Sequence, residues 1–168
     1  MVSRTFENLK TIKQDQIYAA LVAEFTNYSL VDAQVARIIK RAEISRGSFY
    51  AYFDDMNDAY RWVFGQIIKN VHGHRDFSSL VEIVENDQDT YKFLQKYYQI
   101  NEQYLALHDE QFAKTLAPRL LSEDASDIEV KMWLGMITGH DLMRKFFLFP
   151  EKQKEIGETY KKISDWLS

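Results

Sequence analysis

The chain has 168 residues and a net charge of −4, with 46% hydrophobic and 14% aromatic residues. That length and apolar content allow one compact domain, or one small module of a larger protein, and argue against disorder. The absence of Cys excludes disulfides, cysteine-ligated zinc and cysteine nucleophiles, and 6 Gly with 2 Pro leave few turn-formers, so long helices with short connections are expected.

Thr11 to Asn27 reads as a first helix, with Ile12, Tyr18, Leu21, Val22 and Phe25 inward at helical spacing. Asp32 is a suitable N-cap for a second helix, Ala33 to Arg41, with Val35, Ile38 and Ile39 inward. Ala42-Glu43-Ile44 makes a tight turn. Ser45 then caps a third helix, Arg46 to Phe53, in which Phe49 and Phe53 point inward and leave Arg46, Ser48, Tyr50 and Tyr52 on the surface. A fourth helix begins at Asn57 or Asp58, runs through Val71 and stops at His72-Gly73-His74. A short apolar piece, Phe77 to Val84, and a polar stretch, Glu85 to Asp89, lead to a longer helix, Thr90 to His108. Asp109 to Leu121 follows, bent or ended by Pro118. Ser122 to Asp127 is an acidic connection that caps a helix from Ile128 to Phe149, and Pro150 opens a last helix ending near Trp166. With no strand-like alternation and no internal repeat, the expected fold class is all-α, of about nine helices. Residues 1–56 form an N-terminal head and residues 57–168 a C-terminal helical domain.

The charge is unevenly spread. Residues 1–53 hold seven Lys/Arg against five acids, a net +2, and residues 54–168 hold 14 against 20, a net −6. A basic head on an acidic body suits a DNA reader with a separate non-DNA module. The second helix, the three-residue turn and the capped third helix have the form of a helix-turn-helix, whose second helix enters the major groove. Arg46 is long enough for a bidentate contact to guanine. Ser45 and Ser48 sit at a helix N-terminus that favours phosphate. Gly47 lets the backbone come close, Ala51 can touch a thymine methyl, and Tyr50 and Tyr52 can offer a hydroxyl to phosphate or an edge to thymine.

Phe25, Ile38, Ala42, the run Ile44 to Tyr50, and Tyr52-Phe53 resemble the signature of the tetracycline-repressor family of bacterial transcription regulators, over about residues 12–65. The resemblance implies a DNA-binding head, a helical C-terminal domain that binds a small-molecule effector, and a homodimer on a palindromic operator released by ligand. Four positions depart from the family pattern. Glu43 stands where Gly is usual, and Ile39 where a small Ala is usual. Ala33-Gln34 replaces a hydroxyl pair, though Gln34 can still reach phosphate. Met56 replaces a phosphate-holding Lys, and Arg4, Lys10 and Lys13 are placed to compensate.

The C-terminal part carries no motif. Tyr91, Phe93, Tyr97, Tyr98, Tyr104, Phe112, Trp133 and Met136 crowd its central helices. Tyr97, Tyr98, Tyr104, Trp133 and Met136 are the candidate ligand-binding residues, and the lack of concentrated charge there points to a neutral or lipophilic effector. Gly135 and Gly139, with Met132, Met143 and Phe147, open one face of the penultimate helix. Ile156, Tyr160 and Ile163 give the last helix a matching stripe, the candidate dimer interface.

His72 and His74 flank a glycine at a helix end, and His108 and His140 are far apart, so helix-end roles fit these residues better than a metal site. No cofactor and no catalytic residue is expected. Paired acids such as Asp54-Asp55 and Glu123-Asp124 fall in connections, and there is no Gly-rich phosphate loop. Met1 to Lys13 has no apolar signal core and no apolar run approaches a membrane span, so a cytoplasmic protein with no membrane partner is expected. The reading is a ligand-responsive repressor binding double-stranded DNA. The alternative is a dimeric interaction protein of the same fold without specific DNA binding.

Overall fold

The computed structural model describes residues 2–73, 86–118 and 120–167, and all regular structure among them is helical. The head comprises α1 (Arg4–Glu7), α2 (Thr11–Asn27), α3 (Val35–Ala42) and α4 (Arg46–Tyr52), followed by α5 (Met56–Gly73). A single rod follows, made of α6 (Gln88–Lys96), a π turn (Tyr97–Asn101) and α7 (Glu102–His108). Then come α8 (Glu110–Thr115), α9 (Asp127–Leu148), a 3-10 turn (Pro150–Lys152) and α10 (Gln153–Leu167). The expected all-α class is observed, as nine helical rods among the described residues. The expected Phe77 to Val84 piece and His74 lie outside those residues.

The helix ends follow local chemistry. Ser45 Oγ accepts from the Ser48 N–H at 2.9 Å, the expected cap of α4. Ser126 and Glu129 form a reciprocal capping box at the start of α9, with Glu129 Oε2 accepting from the Ser126 N–H at 2.8 Å. α8 ends at Thr115, short of the expected Leu121, because Pro118 lacks an N–H and disfavours helical backbone at the residue before it. Ile12, expected inward, is 76% exposed. It lies in the first turn of α2, beyond the stripe made by Ile17, Leu21 and Phe25.

The connection into α3 differs from expectation, and the reason is tertiary. Asp32 does not cap the helix, since its carboxylate accepts from the Ser29 hydroxyl at 2.6 Å. The cap position is Gln34, without a side-chain cap bond. Its N–H is taken by Glu24 of α2 at 2.8 Å. Glu24 is 4% exposed and holds Arg37 through Nε at 2.9 Å, while the Arg37 guanidinium lies 3.7 Å from the Tyr28 ring centroid. One buried carboxylate thus fastens α2, the loop and α3, and its cost of burial is offset by the charged donor and the backbone N–H. An acid between Leu21 and Phe25 on the inward stripe of α2 is the sequence signal for this clasp.

The helix α1 was not expected either. Ser3 caps it, accepting from the Phe6 N–H at 3.3 Å, and the same hydroxyl donates to the Ala51 carbonyl at 2.6 Å. The Ser3 N–H donates to the Tyr52 carbonyl at 3.1 Å. The N-terminal segment therefore closes the C-terminal end of α4.

Aromatic rings run from the head into the body. Phe6 meets Phe53 at 5.4 Å and Trp62 at 4.9 Å, Phe25 meets Tyr60 at 4.8 Å, and Tyr60 stacks on Phe93 at 5.1 Å. Each such pair adds about 0.5–1.5 kcal/mol beyond the area it buries. Arg61 of α5 pairs with both Asp58 and Asp109, and Asp109 also caps α8 by accepting from the Phe112 N–H at 3.0 Å. These contacts tie the first half of α5 to both the head and the body.

Glu43 closes α3 with φ 51° and ψ 52°, the one non-glycine residue at positive φ among those described. A β-carbon there crowds the backbone, which is why glycine is usual at this cap position. Glu43→Gly is expected to stabilise the chain by roughly 0.5–1 kcal/mol, after the extra freedom glycine gains in the unfolded chain. Urea unfolding of the two proteins checks this, and a loss of stability would show that the Glu43 side chain holds the turn.

Candidate functional site

Among the described residues, two places bring together side chains expected at a site. The first is the outer face of α4. Phe49 and Phe53 are buried, at 0% and 1% exposure, and pin the seven-residue helix to the head. A helix this short does not persist alone in water, so these two rings decide its orientation. With that face inward, Ser45, Arg46, Gly47, Tyr50 and Ala51 stand exposed along the opposite edge, and Gln34 is exposed at the start of α3. The Arg46 guanidinium lies 5.7 Å from the Tyr50 ring centroid, a loose cation–π contact that leaves its donors to solvent. Ser48 is half-buried, and its hydroxyl is 2.8 Å from that of Ser45. Tyr52 is also half-buried, edge-on to Phe6 at 5.7 Å, so its ring serves the head's packing.

Gly47 is informative because nothing inside the protein requires it. A β-carbon built there would meet Ser45 Oγ at 3.7 Å, an ordinary contact, and its φ is not positive. Glycine within a helix costs about 1 kcal/mol relative to alanine.

The basic residues ahead of α4 are not all available. Lys13, expected to supply positive charge, donates to the Ala42 carbonyl at 2.9 Å and the Glu43 carbonyl at 3.2 Å. It neutralises the C-terminal end of α3 instead. Arg4, Lys10, Lys40 and Arg41 remain exposed.

The second place is a cavity of about 430 Å³ in the body. Phe64 and Ile68 of α5 form one wall, Tyr97, Tyr98 and Glu102 of the central rod a second, and His140, Asp141, Met143 and Arg144 of α9 a third, with Leu116 at the edge. Of the five expected ligand residues, Tyr97 and Tyr98 line this cavity. Tyr104 stacks near His108 at 4.8 Å, and Trp133 and Met136 sit further back on α9, so none of these three is in its wall. The π turn brings the tyrosines here. Its extra residue lets consecutive Tyr97 and Tyr98 both face the cavity side, while Asn101 at its end turns into the core with 0% exposure. Burial, aided by the nearby Glu102 charge, raises the pKa of both phenols, that of Tyr98 to about 12. Both are therefore neutral at physiological pH and serve as apolar rings with a hydroxyl.

The wall also corrects an expectation. Charge is concentrated here: Glu102, Asp141 and Arg144 share the lining. Spacing alone did not show it, because Glu102 and Arg144 are 3.4 Å apart only in the folded chain.

The residues expected at a dimer interface divide. Phe147 and Ile156 belong to the chain's own core, at 0% and 8% exposure, and Met143 faces the cavity. Gly135 admits the same chain's α10, since a β-carbon there would come within 3.1 Å of Leu167, whereas one at Gly139 would meet Tyr160 at 3.9 Å, an ordinary contact. Tyr160 and Ile163 are half-buried against that same seam. Met132 alone of this set is fully outward, at 71% exposure. Ile128 at 71% and Trp166 at 67% join it, and sequence reasoning did not single out Ile128. Among the described residues no helix is long and apolar enough to cross a membrane, and no group of three or more acidic or histidine side chains is placed to hold a metal.

No family model matches the chain, and no curated protein matches it. Among solved structures it is similar to a TetR family transcriptional regulator from Chloroflexus aurantiacus J-10-FL, at 18% identity and a TM-score of 0.41, with 99% of this chain and 96% of that one covered.

Proposed function

We propose that the chain is a ligand-responsive transcription repressor that binds double-stranded DNA as a homodimer, with residues 1–56 as the reading head and residues 57–168 as the effector and dimerisation domain. One observation carries this reading. Phe49 and Phe53 hold α4 so that Arg46, Gly47, Tyr50 and Ala51 form an outward edge, with a glycine the fold itself does not need. A glycine of no internal use fits a backbone that must approach another surface closely. The resemblance of Ser45 to Phe53 to the tetracycline-repressor signature supports the same assignment.

In this reading Arg46 contacts a base edge, and Ser45, Ser48, Gln34 and Tyr50 set the register on phosphates. Tyr52 contributes through its hydroxyl, its ring being held by Phe6. The exposed Ile128, Met132 and Trp166 on α9 and α10 provide the apolar face for a second copy, which would place two α4 edges on one duplex. The effector occupies the cavity behind Tyr97 and Tyr98.

Selection of duplex fragments by the intact chain, followed by titration, tests the proposal. A specific inverted repeat should be bound by two copies, with affinity falling steeply as salt rises. Arg46→Ala should weaken binding by about 1–3 kcal/mol and relax one base position in each half-site. Equal binding to unrelated duplexes, or full specificity in Arg46→Ala, would remove the proposal and leave the dimeric interaction protein as the better account.

A further inference from the structure

The Glu102 carboxylate is the least satisfied polar group near the cavity. Its side chain is 19% exposed, and Oε2 is buried with no hydrogen-bond donor reaching it among the described residues. Arg144 stands 3.4 Å from the same oxygen, near enough for Coulomb attraction but outside hydrogen-bonding geometry. A buried carboxylate oxygen without a donor is costly, and the cost is removed by anything that brings an N–H to it.

The two charges in the wall are not equivalent. Arg144 is 44% exposed and keeps its water, whereas Glu102 has lost most of its own. Asp141, the second acid, is engaged by Lys145 at 2.6 Å. An incoming anion would have to displace solvent from Arg144 and face a desolvated carboxylate. An incoming cation is attracted by a carboxylate that is largely stripped of water and still 19% exposed. Beside it, Phe64 and Tyr97 pair at 4.4 Å and Tyr97 and Tyr98 at 4.8 Å, which offers ring faces and edges to an apolar body and a cation–π partner to its head.

We infer that the cavity takes an organic monocation with a flat apolar body, an aryl-alkyl amine or amidine, whose charged head lies against the Glu102 carboxylate while its rings lie against Tyr97 and Tyr98. The effector class is therefore cationic and amphipathic. This rests on the reading of the cavity as an effector site, but the binding chemistry stands apart from DNA.

Calorimetry on the intact chain near pH 7 with three probes of one shape tests it: 2-naphthylmethylammonium, 2-naphthylmethanol and 2-naphthoate. The ammonium should bind at least about tenfold more tightly than the alcohol, and the naphthoate most weakly, as expected for one charge-assisted hydrogen bond in a partly desolvated site. Glu102→Gln should abolish that preference and leave the alcohol within about twofold. Arg144→Ala, which leaves the carboxylate in place, should tighten the ammonium severalfold, and it serves as the test should Glu102→Gln fail to fold. Equal binding of ammonium and alcohol would mean that the Glu102 carboxylate does not select for charge, and the inference falls. Tightest binding of the naphthoate would make Arg144 the anchor, and binding of none of the three would remove the cavity as a ligand site; either overturns it. Ammonium binding by a chain that selects no duplex would uphold this inference and defeat the regulatory one. Specific duplex binding without the ammonium preference would do the reverse.

Discussion

Phe49→Ala is expected to cost about 3–5 kcal/mol of folding stability. The ring is fully buried, 5.5 Å from Phe53, on a helix of seven residues. Such a helix has too few internal hydrogen bonds to repay its ordering, so the side chains beneath it supply the stability. Removing the ring deletes that apolar burial and leaves a cavity between α4 and the rest of the head that a rigid three-helix arrangement closes poorly. A domain of this size has a total stability of about 5–15 kcal/mol, so the loss is a large fraction of it. Urea unfolding followed by circular dichroism checks the value. A cost below about 1 kcal/mol would show that Phe53 and the Ser3 clasp suffice to hold α4, and the account of its orientation would need revision. DNA binding should fall with it, because the edge bearing Arg46 is presented only when the inner face is seated.

Asn101→Leu is expected to cost about 2–5 kcal/mol, since it strips partners from two buried groups at about 1–3 kcal/mol each. Asn101 Oδ1 accepts from the Leu30 N–H at 2.9 Å, and its Nδ2 donates to the Tyr60 hydroxyl at 3.1 Å. Leu has the branching and heavy-atom count of Asn and leaves no cavity, so the loss reports the hydrogen bonds together with the crowding of two bulkier methyl groups. The position also has mechanical meaning. Leu30 lies in the loop that feeds α3, Tyr60 lies on α5, and Asn101 ends the π turn that carries the cavity tyrosines. Hydrogen exchange at the Leu30 amide is the sharper readout. In the variant it should exchange faster than neighbouring core amides, and unchanged protection would show that another acceptor takes its place.

Much of the architecture was legible before folding. The span Thr11–Asn27 was read at its observed ends because seventeen residues of helical spacing need no tertiary partner to be recognised. Ser45 was read as a cap because its role depends only on the three residues after it. The tight turn at Ala42-Glu43-Ile44 was likewise a local inference. The readings that failed depend on distant residues. Asp32 was a sound cap by type, but Glu24, ten residues earlier, claimed the Gln34 N–H. Gly135 did mark a close helix approach, but α10 of the same chain fills it. Lys13 looked like charge for a partner and is spent on the end of α3.

The sequence by itself determined most of the helices, the Ser45 cap, the turn at Glu43 and the division of α4 into an inner aromatic face and an outer polar edge, because all of these follow from spacings of three to four residues within one segment. Tertiary structure alone decided which polar groups meet. The carboxylates of Glu24 and Glu102 look alike in the chain, yet one is satisfied by Arg37 and a backbone N–H and the other keeps an oxygen without a donor among the described residues. Hydrogen bonding and desolvation act over a few ångströms, and which side chains come within that distance is set by how whole helices pack, a quantity no local pattern encodes.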